Sequence, residues 1–307
     1  MRNSFVRELL IFAKSDPNIF LVTGDLGYGV LDEFQRQIPE QYLNAGIAEQ
    51  TMLGTAAGLA SKGFKVFVYS IANFPTFRAL EQIRNDVCYM NNPVTIVSVG
   101  AGLSYGNLGY SHHAVEDISI MRALPNIDIY SPCDPSDVGS CLREILKNEK
   151  PAYLRLGKGG EPILPALNRE NGFPYKVLRS GSDGALLFTG AIGINVLEAA
   201  DQLEKHDLSV SVIGINSLTD SSLEKLISLT NGLATLTIEE HRLQGGFGSW
   251  LLEGYSDKNI NSRFARIGLS PGMEGEIGSR DFLLTKNGLT SDAIVKKFLA
   301  LINQKSL

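Results

Sequence analysis

Short apolar bursts alternate with stretches of helical periodicity along almost the whole chain, and this alternation limits the possible folds more than any other feature. Strands are expected at "NIFLVTG" (18–24), "KVFVYS" (65–70), "PVTIVSVG" (93–100), "IDIYS" (127–131) and "AYLRL" (152–156). Each run is short and rich in β-branched or aromatic residues, as strands are. Helical patterns such as "PTFRALEQIRNDVCYM" and "PSDVGSCLREILKN" lie between them. Such alternation gives a parallel sheet with helices on both faces. From about 157 to 182 the periodicity fades into "GKGGEPILPALNRENGFPYK", where Gly, Pro and Asn predict a linker. Alternation resumes with "ALLFTG", a helix over about 192–205, "LSVSVIGI", a helix from 221, "LATLTIEE" and a last helix near 291–302. The expected fold is α/β: two domains, 1–165 and 182–307, each a largely parallel sheet flanked by helices. No internal repeat interrupts this plan.

Composition narrows the function. The 307 residues suffice for two domains, and 44% hydrophobic with 20% charged residues is a globular balance. The net charge of -5, without a basic run, argues against a nucleic-acid surface. "MRNSFVRELLIFAKSD" is a short amphipathic pattern rather than a signal peptide, and no apolar run is long enough to span a bilayer. Cys88, Cys133 and Cys141 lack metal-site spacing and read as reduced thiols of a cytoplasmic protein.

Four stretches carry chemistry. In "YLNAGIAEQTMLGTAAGLA" (42–60) a lone carboxylate, Glu49, opens a helix that otherwise looks made for burial. "TGDLGYG" (23–29) follows a strand and lacks both the dinucleotide glycine spacing and a P-loop lysine. Asp25 there belongs either to a tight turn or to a ligand at the carboxyl edge of the sheet. "GYSHHAVED" (109–117) holds His112 and His113, adjacent and without a third ligand at zinc spacing. They are either packed histidines or imidazoles placed over a polar substrate. Arg155 ends the strand in "YLRLGKGG" (153–160), where burial demands either a carboxylate partner or a substrate phosphate.

Taken together, these pieces resemble the carboxyl-terminal half of transketolase, and most closely the B subunit of split, two-chain transketolases. "GIAEQTMLG" resembles the segment around the family's catalytic glutamate, placing Glu49 there. "SIANFPTFRALEQIRND" resembles the aromatic segment that follows, with Phe74 on the ring that stacks on the cofactor's pyrimidine. "GNLGYSHHAVED" resembles the loop carrying a substrate-contacting histidine, here His112, with His113 beside it. "YLRLGKG" places Arg155 on a substrate-phosphate arginine, and spacing places Arg2 on another. "IEEHRLQGGFGS" resembles a turn of the family's C-terminal domain. The resemblance implies thiamine diphosphate as cofactor, contacted by Asp25, Ile47, Glu49, Phe74 and Phe77, with Glu49 and His112 catalytic. A buried carboxyl at the pyrimidine would hold and share a proton near neutral pH.

Three positions depart from the family's pattern. Leu108 stands where an aspartate contacts a sugar hydroxyl, Gly100 near a phosphate-contacting histidine, and Gly29 near a phosphate-contacting serine. The GDG motif that holds the diphosphate and its Mg2+ or Ca2+ is absent. The resemblance therefore implies half an enzyme with no metal ligands of its own. An A subunit would supply the diphosphate domain, in an α2β2 heterotetramer acting on small phosphorylated sugars. The rival readings are a β subunit of a 2-oxo-acid dehydrogenase, a 1-deoxy-xylulose-5-phosphate synthase-like enzyme, and a non-catalytic regulatory partner.

Overall fold

The computed structural model describes residues 1–167, 173–269, 271–272 and 275–303. Two sheets organise the chain. The strands are β1 (Ile19–Thr23), β2 (Tyr42–Asn44), β3 (Lys65–Ile71), β4 (Val94–Val99), β5 (Asp128–Tyr130) and β6 (Ala152–Leu156). They continue as β7 (Tyr175–Arg179), β8 (Gly184–Thr189), β9 (Val210–Ile215), β10 (Ser217–Leu218), β11 (Thr235–Arg242) and β12 (Phe264–Leu269). The first sheet runs β10-β5-β6-β4-β3-β1-β2 and the second β12-β11-β8-β9-β7. All pairings are parallel except β10 on β5 and β7 on β9.

The central strands are apolar because both their faces are covered: β4 is buried at every residue. Helices Arg2–Ser15 and Val138–Asn148 cover one face of the first sheet, burying Phe5, Leu9, Cys141 and Leu142. Helix Glu49–Ala60 covers the other, with Met52, Leu53 and Ala56 turned inward. That second cluster continues into Leu187, Ile215 and Trp250, so the two units share one apolar contact. Burying each of the large side chains among these, such as Phe5, Leu9, Met52 and Leu187, stabilises the fold by roughly 1.5–3 kcal/mol.

Two expectations change. The stretch read as a linker carries a strand: β7 pairs antiparallel with β9, so the second sheet begins before 182. Residues 168–172 of that stretch lie outside the described residues. The helical pattern after Phe74 is broken into Asn73–Arg78, Leu80–Gln82 and a wider π-turn, Ile83–Tyr89. Among the described residues no helix is long and apolar enough to cross a membrane.

Candidate active site

The site residues follow the strand order at the carboxyl edge of the first sheet. Along neighbours β6, β4, β3, β1 and β2 come Lys158, the loop holding Tyr105 and His112, Phe74, Asp25 and then Glu49. Ligands gather at this edge of parallel sheets because the strands end there and loops diverge.

Glu49 is the first residue of helix Glu49–Ala60, and Ala48 before it provides no side-chain cap. A carboxylate in the first turn is favoured by the helix dipole. Glu49 is buried, and its Oε1 accepts from Arg78 Nη1 at 2.8 Å. Arg78 follows Phe74 by one helical turn, so the two share a face. Its guanidinium lies 4.2 Å from the centroid of the Phe74 ring. One arginine thus occupies both the aromatic face and the carboxylate. A cavity of about 390 Å³ opens beside them, lined by Ala48, Glu49, Gln50, Thr51 and Arg78. Next to these in the chain stand Ile47, strongly exposed, and Phe77, partly exposed.

His112 reaches the same place from the loop after β4. Its ring meets Phe74 edge-on at 5.4 Å. Asn73 ties the two elements by donating Nδ2 to the Tyr110 and Ser111 carbonyls at 3.3 and 3.2 Å. His112 Nδ1 lies 3.0 Å from the Ser111 hydroxyl, which leaves Nε2 for a ligand. Beyond it stands Tyr105, with the rings 6.4 Å apart. Gly100 is required here: its φ is +96°, and a Cβ would lie 2.2 Å from the Tyr105 ring. The missing side chain at 100 is space that Tyr105 fills. Burial raises the Tyr105 hydroxyl's pKa, and neighbouring Arg2 opposes that rise. Lys158 Nζ sits 5.4 Å from the same ring. A second cavity of about 320 Å³ lies there, lined by Ser104, Lys158, Gly160, Asn195 and Arg280 among others.

Asp25 adopts a φ of +58° at the tip of its turn. Its Oδ1 accepts from Tyr28 at 2.5 Å and Asn44 at 3.1 Å, and those bonds, the tyrosine's first, lower its pKa. Leu108 projects half-exposed from the loop tip.

Two expected substrate residues are corrected by burial. Arg155 is only 2% exposed, and its Nε and Nη2 are already committed. Nε donates to Asp117 Oδ2 at 2.7 Å, and Nη2 to the Ala114 and Glu240 carbonyls at 2.8 and 3.1 Å. The carboxylate-partner alternative holds, with a partner 38 residues away. His113 is fully buried, and burial lowers its pKa, so it is a neutral packed imidazole. Its Nε2 lies 3.5 Å from the Gly106 carbonyl, and its buried Nδ1 has no hydrogen-bond partner among the described residues.

Sequence reasoning misses Arg78, Tyr105 and Lys158. The spacing of Phe74 and Arg78 is a usable signal for the first; Lys158 lies within "YLRLGKGG", where the arginine draws the attention. Among the described residues no group of three or more His, Cys, Asp or Glu side chains is arranged to hold a metal.

Residues 1–160 match the family model described as transketolase, pyrimidine binding domain, and residues 175–294 the one described as transketolase, C-terminal domain. The B subunit of the apulose-4-phosphate transketolase of Phocaeicola vulgatus is 30% identical over 99% of this chain and 97% of its own length. The 6-deoxy-6-sulfo-D-fructose transketolase subunit SqwH of a Clostridium species is 30% identical over 96% and 92%. A solved split-gene transketolase, an inactive β4 tetramer, superposes with a TM-score of 0.88 at 30% identity over 99% of both chains.

Proposed function

This chain belongs to the transketolase family, and from that premise we propose that it is the B subunit of a split, thiamine diphosphate-dependent transketolase. One observation carries the reading: Glu49, Phe74 and His112 converge beside an open cavity in a chain without a diphosphate motif.

The residues present fit one end of the cofactor. Phe74 offers a ring face and Glu49 a carboxylate within reach of a single planar cation, Arg78, which a pyrimidine would replace on both. Ile47 and Phe77, close to Glu49 and Arg78 in the chain, and Asp25, from the neighbouring strand end, are assigned to that end by the family likeness. When bound, the cofactor supplies the carbon that accepts and releases a two-carbon ketol unit. Glu49 holds a proton at the pyrimidine ring nitrogen, and Phe74 keeps the ring oriented. His112 offers Nε2 to a substrate hydroxyl. The diphosphate and a Mg2+ or Ca2+ ion are held by a separate A subunit. Gly54, Gly58 and Thr51 form an exposed, nearly flat face of helix Glu49–Ala60, suited to close approach by that partner in an α2β2 assembly.

The substrate's far end is anionic. The two named relatives act on a sugar phosphate and a sulfonated sugar. Here Arg2, beside the Tyr105 hydroxyl, and Lys158, over the Tyr105 ring, provide the positive charge that Arg155 does not. Leu108, in place of a sugar-contacting aspartate, favours a sugar lacking a hydroxyl there or bearing it in the other configuration.

The test mixes this chain with a GDG-bearing half-transketolase, magnesium and thiamine diphosphate. Ketol transfer should appear only in the mixture. Glu49→Gln should slow proton exchange at the thiazolium carbon about 10²–10⁴-fold while leaving the urea midpoint nearly unchanged. Tight, magnesium-dependent cofactor binding by the isolated chain would overturn the split arrangement. Decarboxylation of a 2-oxo acid in place of ketol transfer would overturn the reaction.

A further inference from the structure

The loop that carries Tyr105 and His112, residues 101–116, has little structure of its own. It holds two short 3-10 turns, Gly106–Leu108 and Tyr110–His112, and isolated bridges from Ala114 to Ala101 and Gly102. Such a segment does not by itself hold an imidazole in one place. Much of what holds this one comes from the second domain.

Leu103 and Val115, near the two ends of the loop, are fully buried within the second domain's apolar cluster, among Leu186, Phe188 and Ile238. Backbone contacts follow the same plan. Arg242 N–H donates to the Val115 carbonyl at 2.9 Å, and Gly278 N–H to the Gly106 carbonyl at 3.3 Å. Arg242 Nε donates to Glu116 Oε1 at 2.7 Å, the same oxygen that accepts from the Tyr110 hydroxyl at 2.8 Å.

Glu240 is the centre of this contact. Its side chain is 5% exposed and paired with Arg280, whose Nε donates to Oε2 at 3.0 Å. The same Oε2 accepts from Leu103 N–H at 3.3 Å. Its backbone carbonyl accepts from Arg155, which also holds the Ala114 carbonyl. The fit is close enough that a Cβ on Gly102 would lie 2.6 Å from Glu240 Cβ. One buried carboxylate therefore touches the loop near its start and, through its own main chain and Arg155, near its end.

We infer that Glu240 and Arg280 are positioning residues for the reaction, and that the second domain serves the chemistry as the mould that holds the Tyr105–His112 loop. Neither touches the reacting atoms. Arg280 fixes the carboxylate, the carboxylate and its main chain fix both ends of the loop, and the loop fixes His112 against Phe74. An error of about 1 Å in placing such a group costs roughly 10²-fold in rate. The kinetic part rests on the proposed ketol transfer; the positional part does not.

The test uses Glu240→Gln, Arg280→Met and Arg280→Lys. In the isolated full-length chain, hydrogen–deuterium exchange should quicken about 10-fold at amides 101–116 in the first two variants, with the sheets unchanged. Arg280→Lys, which keeps the cation, should restore most of the protection. In the assembled enzyme the first two should lower kcat about 10- to 100-fold while thiamine diphosphate affinity stays within about 2-fold. Unchanged exchange at 101–116 would overturn the inference. So would faster exchange spread evenly over the second domain, or a loss of cofactor affinity equal to the loss in kcat. If wild type performs no ketol transfer yet the exchange pattern holds, the proposed function fails and the mould stands.

Discussion

Two charged regions of this molecule contrast in how they are built. At the Glu49 edge, a buried carboxylate meets an arginine whose side chain is 52% exposed, beside an open cavity and, close to them in the chain, the exposed side chains of Ile47 and Phe77. Between the domains, Asp117, Arg155, Glu239 and His241 are almost wholly removed from solvent. The first region is arranged so that its contacts can be exchanged for a ligand's. The second is arranged so that they cannot. Both contain an arginine on a carboxylate, so the pairing alone does not separate a binding site from a structural lock; burial does.

The largest expected effect breaks the lock. Asp117 accepts from Tyr153 at 2.8 Å and Arg155 at 2.7 Å, and Asp117→Ala would leave a buried guanidinium without its charge partner. Urea unfolding should show a loss of about 3–5 kcal/mol. A loss under about 1 kcal/mol would mean that water reaches Arg155 and the region is no lock.

The buried region should also respond to pH. Glu239 caps the start of helix Phe247–Asp257, accepting from the Phe247 and Gly248 amides at 2.7 and 2.9 Å. Burial nonetheless dominates and raises its pKa from 4.5 to about 7. The folded state then holds a proton that the unfolded state has released between those two values. Stability from this group is present in full below the unfolded value and is lost as pH rises through about 7. The whole effect is at most about 3 kcal/mol. From about pH 4.5 to 8 the unfolding free energy of wild type should fall with pH relative to that of Glu239→Gln, the difference between the two proteins isolating this group. A slope identical in both proteins would assign the titration to another group. His241 acts in the opposite sense: burial lowers its pKa, so the unfolded imidazole takes up a proton below about 6.5 that the folded one does not, and its contribution to stability is lost as pH falls through that value.

What the sequence made legible follows the same division. The buried strands β3, β4, β6, β8 and β9 stand out because both faces are covered and the runs are largely apolar. The missed strands lack that signature. β2 has no fully buried residue, β10 has two residues, β12 is a half-exposed edge, and β7 lies among Gly, Pro and Asn. Glu49 was legible because no other charge stands near it in the sequence. Arg155 was legible as a buried cation but not as a lock, because Asp117 reaches it only through the fold. Tyr105 was invisible: its role depends on the empty Cβ position at Gly100, which sequence shows only as a departure.

Exchanging the two arginine environments for a lysine sharpens the substrate end. Lys158 is exposed and lines the 320 Å³ cavity, so its charge is free to meet an anion. Lys158→Met should raise KM for a phosphorylated sugar about 3- to 10-fold, less than a fully buried charge-assisted bond would lose, because solvent screens it. The unphosphorylated analogue should change little, and so should the urea midpoint. Equal KM changes for both sugars would remove Lys158 from the anion's contacts.

The smallest expected effect tests the exchangeable contact itself. Arg78 holds Glu49 and covers Phe74, the two groups on which a pyrimidine would rest. Half its side chain is in water, so Arg78→Met should change stability by no more than about 1 kcal/mol. Its effect on the cofactor has a definite sign. In wild type, binding must first separate an ion pair and lift a cation from an aromatic face, contacts that together contribute about 0.5–1 kcal/mol at this exposed site. Methionine makes neither, so thiamine diphosphate should bind the assembled enzyme about 2- to 5-fold more tightly by calorimetry. Arg78→Lys, which keeps the charge but loses the planar stack, should fall between the two. If Arg78→Met instead weakened cofactor binding, the arginine would belong to the bound state's contacts, and the Glu49 edge would share the permanence of the lock between the domains.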